Sequence, residues 1–346
     1  MLLFHNDYNE ICHPAVLDKM LISKQEQMPG YGEDPYCASA ANKIKTLCQK
    51  DDLDIHFLVG GTQTNLTVIS AALRPYQGVI GADSAHINVH ETGSIEATGH
   101  KVIALPHVDG KITAEQVALF VKEHYASADA VHMVQPKMVY ISNPTEWGTI
   151  YYKEELEALS AVCKENGLYL FVDGARLGYG LTASDNDVAM ADLARLCDVF
   201  YIGGTKVGAM FGEAVVISNA KIAEDFRYMI KQRGAMLAKG WLLGAQFDAL
   251  MDHSLYFDIS RKANILADKI RETLESLNYQ YYVKTTTNQL FPILSDTELD
   301  ILAENFTFAE MGRVDDSHRA VRFCTSWATN EASVDALCVA LRELAR

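Results

Sequence analysis

The chain has 346 residues, 49% of them hydrophobic, which is ample for one large domain with a smaller companion. Thirty basic residues against 45 acidic ones give a formal net charge of −15, which argues against nucleic acid or an anionic membrane as the main partner but leaves room for a local basic pocket. Seven cysteines, an odd number with no C-x-x-C pair, fit reduced thiols in a cytoplasmic protein and speak against a disulfide frame or a zinc site.

Along the chain, Met1–Asp7 lacks a basic region followed by a long apolar stretch, so neither a leader nor a bilayer span is expected. Residues 22–33, centred on Met28-Pro29-Gly30-Tyr31-Gly32, form a weakly patterned stretch of the kind that often carries function. The apolar run 55–59 reads as a strand. Gly60-Gly61-Thr62-Gln63 turns the chain into a helix over 66–73, and glycines before a helix N-terminus suit an anion, with Thr62 adding a hydroxyl. Runs at 79–81, 101–105, 138–142, 168–172 and 199–202 are further strands, and 153–166 is an amphipathic helix stopped by Gly167. This alternation predicts an α/β fold with a mostly parallel sheet whose ligand lies beyond the carboxyl ends of the strands. Beyond about residue 250 the pattern changes. Helices over 261–277 and 334–345 and strand-like runs at 283–294 and 320–325 suggest a large domain over 1–250 and a smaller α+β domain over 251–346.

Two strand ends stand out. The run 168–172 ends in Asp173-Gly174-Ala175-Arg176, and the run 199–202 ends in Gly203-Gly204-Thr205-Lys206. A strand-end lysine among glycines can approach a carbonyl and be partly desolvated, as a Schiff-base lysine requires. A carboxylate at a neighbouring strand end supplies the partner that the ring nitrogen of pyridoxal 5′-phosphate (PLP) needs. His86, after the second strand, has an imidazole that can stack on a pyridine or move protons, with His90 a helical turn away as a rival. Arg176 and Arg322 are candidates for a substrate carboxylate. The basic segment 229–241, containing Lys239, can offer charge to a phosphate of its own or of a partner subunit.

With these residues assembled, the chain resembles the PLP-dependent threonine aldolase family, part of the β-eliminating lyase group with the aspartate aminotransferase-like fold. The resemblance is dispersed over nearly the whole chain. It rests on Asn6-Asp7, Tyr31-Gly32-Glu33-Asp34-Pro35, Gly61-Thr62-Gln63-Thr64-Asn65-Leu66, Ala85-His86, Asp173-Gly174-Ala175-Arg176, Thr205-Lys206, Thr287-Asn288 and Val321-Arg322. It implies that Lys206 bonds the cofactor aldehyde, Asp173 pairs the pyridine nitrogen, and His86 stacks on the ring. It also implies that Gly61 and Thr62 hold the phosphate, with Thr205 beside Lys206. Arg176 and Arg322 would bind the amino-acid carboxylate with help from Asn6, and Tyr31 would lie near the substrate. Lys239 would reach a neighbouring subunit's phosphate in a homodimer or homotetramer.

The chain departs from the family in placing Thr205 and Asn6 where serine is common. Glu146, in Asn143-Pro144-Thr145-Glu146-Trp147-Gly148, stands where a histidine is frequent. The implied reaction is retro-aldol cleavage of a β-hydroxy-α-amino acid, with His86, Glu146 or an ordered water as the base. The alternatives are β-elimination or transamination on another amino acid and, outside enzymes, a PLP-binding scaffold.

Overall fold

The computed structural model describes residues 1–345. Its strands are, in chain order, β1 (Leu2–Leu3), β2 (Asp54–Leu58), β3 (Gln77–Ala82), β4 (Val102–Leu105), β5 (Gln135–Ser142), β6 (Tyr169–Asp173), β7 (Val199–Gly203), β8 (Glu213–Ile217), β9 (Tyr281–Val283), β10 (Gln289–Ser295), β11 (Phe306–Thr307), β12 (Ala309–Arg313) and β13 (His318–Cys324). Seven of them form a sheet in the order β2-β8-β7-β6-β5-β3-β4. Pairing is parallel from β7 through β4, and β8 runs antiparallel to both of its neighbours. Every residue of β3, β7 and β8 is buried, as continuous apolar runs must be when helices cover both faces of a sheet.

The expected strands of the sheet appear within a few residues of their sequence limits. β8 is the strand that the pattern did not disclose. The helix read as 66–73 begins earlier, at Gly61–Ala72, so the glycine turn forms its first turn. The helix Lys153–Glu165 ends near Gly167, whose φ of 64° lies in the left-handed region that favours glycine.

A second sheet, in the order β12-β13-β10-β9, is entirely antiparallel. The run 283–294 divides into β9 and β10, joined by the loop 284–288. The helix Leu255–Ser276 links the two layers. Tyr256, Ile259 and Ala263 pack in the core of the large sheet, while Leu266, Ile270 and Leu274 join Leu290, Phe323 and Leu337 in a second core. β1 pairs with β11, and Phe4 packs in that second core. The first residues of the chain therefore sit with the C-terminal layer, and Asp7 follows them back to the carboxyl ends of the large sheet.

Candidate active site

A cavity of about 340 Å³ opens at the carboxyl ends of β5, β6 and β7. It brings together Gly61, Thr62, His86, Glu146, Asp173, Arg176, Thr205 and Lys206, with Tyr8 and Glu213 also in its wall.

Asp173 ends β6, where the strand register sets it opposite Ser142. Four donors converge on its carboxylate. The Tyr201 hydroxyl (2.5 Å) and the Ala175 N–H (2.9 Å) reach Oδ1, while the Tyr140 hydroxyl (2.5 Å) and Asn65 Nδ2 (3.1 Å) reach Oδ2. Burial, reinforced by the Asp173 charge, raises both phenols well above their ordinary range, so both keep their protons and donate. A protonated ring nitrogen would enter this shell as a charge-assisted donor, stronger than a neutral phenol.

Lys206 follows β7. Burial and the Arg176 charge lower its amine below the ordinary lysine range, and Asp7, Asp173 and Glu213 oppose that shift. An amine whose hold on its proton is weakened, placed at the end of a strand, suits attack on an aldehyde. The helix Gly61–Ala72 points its N-terminus at the same cavity, and no side chain caps it. A Cβ at Gly60 would meet nothing within 4 Å, so backbone amides are left open to an anion. An amine, a carboxylate and an uncapped helix N-terminus in one cavity fit the aldehyde, pyridine nitrogen and phosphate of PLP.

His86 is held through Nδ1, 2.8 Å from Oε1 of the buried Glu91. A carboxylate only accepts, so Nδ1 carries the hydrogen and Nε2 is the free ring nitrogen. Glu91 also accepts from Asn65 Nδ2 (2.7 Å) and the Ser94 hydroxyl (2.7 Å). Glu146 accepts the His86 backbone N–H (3.0 Å) and the Ser142 hydroxyl (2.6 Å), both on Oε1. Burial raises its carboxyl above the ordinary range, with the Asp173 charge adding to the shift and the two donors reducing it.

The remaining expected residues are engaged by other side chains or lie outside the cavity. Arg176 lines the cavity but is engaged by Asp7, with Nε 2.7 Å from Oδ2 and Nη2 3.0 Å from Oδ1. Burial would raise Asp7, but the Arg176 and Lys206 charges outweigh it and hold the carboxyl below its usual range. Arg322 and Asn6 are outside the cavity wall. Arg322 donates to the His5 carbonyl (2.8 Å) and to Gln289 Oε1 (3.2 Å), and its buried Nε has no partner among the described residues. Asn6 accepts the Tyr8 N–H on Oδ1 at 3.0 Å. Tyr31 and Lys239 also lie outside the cavity. Tyr31 is 47% exposed, its N–H donates to the Ala238 carbonyl (3.3 Å), and the Tyr31 carbonyl accepts from Arg227 Nη2 (3.3 Å).

Sequence reasoning missed Tyr140, Tyr201, Glu91 and Glu213 as members of the site. The tyrosines were legible by strand alternation, because Tyr140 shares a face with Ser142. Glu91 and Glu213 gave no such signal, since what marks each is its burial.

Solved structures place this architecture. A histidinol-phosphate aminotransferase from Clostridium acetobutylicum aligns with a TM-score of 0.75 at 16% identity, covering 100% of this chain and 99% of that one, a likeness of fold alone. The fold is that of the fold type I enzymes, and the family and relatives that match the chain make it a PLP-dependent lyase. The chain belongs to the beta-eliminating lyase family, whose model matches residues 13–297. Threonine aldolases are its similar relatives. The structure of the Leishmania major threonine aldolase aligns with a TM-score of 0.97 at 46% identity over 100% of both chains. A low specificity L-threonine aldolase of Pseudomonas sp. is 29% identical over 344 residues, covering 97% of this chain and 96% of that one.

Proposed function

We propose that this protein is a PLP-dependent carbon–carbon lyase that cleaves L-threonine or L-allo-threonine to glycine and acetaldehyde, with phenylserine as a further substrate. The observation that carries this reading is the convergence of Lys206, Asp173 and the Gly61 helix N-terminus on one cavity, in a chain similar to threonine aldolases along its whole length.

Lys206 holds the cofactor aldehyde, Asp173 its ring nitrogen, and Gly61 and Thr62 its phosphate. When bound, the pyridine ring stores the electron pair released as the Cα–Cβ bond breaks. Arg322 has an unpartnered buried Nε and takes the substrate carboxylate, with Asn6 beside it. Arg176 orders the wall through Asp7 and adds positive charge. His86, held by Glu91, keeps Nε2 free to accept the β-hydroxyl proton. Glu146, bound to the His86 backbone, assists as a second acceptor.

Tyr31 and the segment bearing Lys239 meet on an exposed surface away from the cavity. This supports a homo-oligomer in which they face a neighbouring subunit's site. No helix among the described residues is long and apolar enough to cross a membrane, and with seven free cysteines this supports a cytoplasmic setting. The test is product analysis of the purified, PLP-loaded protein. Glycine and acetaldehyde from L-threonine or L-allo-threonine are expected. Pyruvate or ammonia from cysteine, or a keto acid from transamination, in their place would overturn the reading.

A further inference from the structure

Glu213 opens β8, the strand that runs against the rest of the sheet, opposite Gly203 of β7 and Leu58 of β2. It is 3% exposed and heads a strand that is otherwise apolar. Burying a carboxyl there is unfavourable unless its oxygens find donors. Each oxygen does. Oε1 accepts the Thr205 hydroxyl (2.8 Å) and Oε2 accepts the Gly204 N–H (3.0 Å). Thr205 Oγ1 accepts the Gly212 N–H (3.0 Å), and the Gly204 and Thr205 amides also reach the Gly212 carbonyl at 3.0 and 3.1 Å. The approach is so close that a Cβ on Gly204 would stand 2.7 Å from the Gly212 carbonyl oxygen. The residue after this laced turn is Lys206, and Lys206 and Glu213 line the same cavity.

We propose that Glu213 is a positioning residue for Lys206: it clamps Gly204 and Thr205 so that the lysine amine is held at one place in the cavity. The proposal rests on the reading of Lys206 as the cofactor-bearing lysine. It also assigns the hydroxyl hydrogen of Thr205 to Glu213.

The charged groups that act on Glu213 are Lys206, after β7, and Asp173, at the end of β6, while the phenols of Tyr201 in β7 and Tyr256 on the helix Leu255–Ser276 feel its charge. Burial, with the Asp173 charge, pushes the Glu213 carboxyl up to about 8, against the pull of Thr205, Gly204 and Lys206. The carboxyl therefore loses its proton as pH rises through that value, and the charge it gains favours the protonated form of the Lys206 nitrogen.

The experiment uses the PLP-loaded enzyme. Borohydride reduction and peptide mapping of the wild type come first, and then the absorbance of the lysine–cofactor linkage is titrated against pH in wild type and Glu213→Gln. The variant is expected to move the midpoint to lower pH by at least half a unit, roughly a threefold change in proton affinity. It should also lower kcat about tenfold with KM changed less than about twofold, the pattern of a misplaced catalytic group. Should Glu213→Gln fail to fold, Thr205→Val removes the held hydroxyl and is expected to move the midpoint the same way. Label on Lys206 with an unmoved midpoint and kcat overturns the role of Glu213 alone. Label on another lysine overturns the Lys206 reading and this proposal with it.

Discussion

Asp173 and Glu91 share one donor: Asn65 Nδ2 lies 3.1 Å from Asp173 Oδ2 and 2.7 Å from Glu91 Oε1. The carboxylate assigned to the cofactor ring is thus tied to the one that holds His86. Two buried acceptors that lose their common donor lose roughly 1–3 kcal/mol. Asn65→Ala is expected to lower the stability of the loaded enzyme by that amount, read from urea unfolding. Asn65→Asp, which sets a third carboxyl between the two, is expected to lower it further. An Asp variant as stable as the Ala variant would show that the bridge does not hold the two carboxylates together.

Asp173→Asn tests the ring-nitrogen role. An amide can still hydrogen-bond the ring but cannot stabilise its positive charge, and that charge makes the ring an electron sink. The variant is expected to retain cofactor absorbance and lose most turnover. Turnover close to wild type would reject the assignment.

Asp173 and Lys206 were legible because each interrupts an apolar run at a strand end, and the parallel sheet then had to bring those ends together. Gly61 was legible as a strand–helix turn, though the helix begins at that glycine itself. Asp7 was legible as part of a motif, but its bond to Arg176 was not, because that contact joins residues 169 positions apart in sequence. Glu213 was hidden for a different reason. A glutamate between Gly212 and an apolar stretch reads as a solvated turn, and only the antiparallel insertion of β8 buries it. Local pattern reports which residues can act. The tertiary register decides which of them meet.

The Asp7–Arg176 pair predicts an acid-sensitive fold. Asp7 titrates lower in the folded protein than its ordinary 3.8, so the stability it contributes is complete above that value and is lost as pH falls through the folded pKa. Asp7 is fully buried and the Arg176 side chain is nearly so, and removing one leaves the other charge without its partner. Arg176→Met is expected to destabilise the protein by about 3–5 kcal/mol in urea unfolding at neutral pH. Its stability should also fall less steeply than wild type below pH 4. Unchanged stability would reduce the pair to a surface-like contact.

Arg322→Ala separates substrate binding from architecture. Loss of a charge-assisted contact to a carboxylate is worth roughly 2–5 kcal/mol in transition-state binding. Catalytic efficiency is expected to drop accordingly while the cofactor spectrum stays intact. An unchanged kcat/KM would leave Arg322 as the anchor of the His5 carbonyl and Gln289 seen here.

Glu146 presents the sharpest choice, because it puts a carboxylate in the cavity wall directly on the His86 backbone. Burial raises its carboxyl, so it can accept a proton only at pH values above the ordinary glutamate range. If Glu146 takes the β-hydroxyl proton or orients a water that does, kcat rises as that carboxyl ionises, and the acidic limb of the rate–pH profile lies above the usual 4.5. Glu146→Gln removes the titration while an amide oxygen can still accept from Ser142 and the His86 N–H. The variant is expected to bind PLP and substrate normally, to slow carbon–carbon cleavage about tenfold or more, within the usual span of general acid–base effects, and to lose that limb. Full activity with an unmoved profile would assign the proton to His86 Nε2 alone and leave Glu146 as the residue that holds the His86 backbone in place.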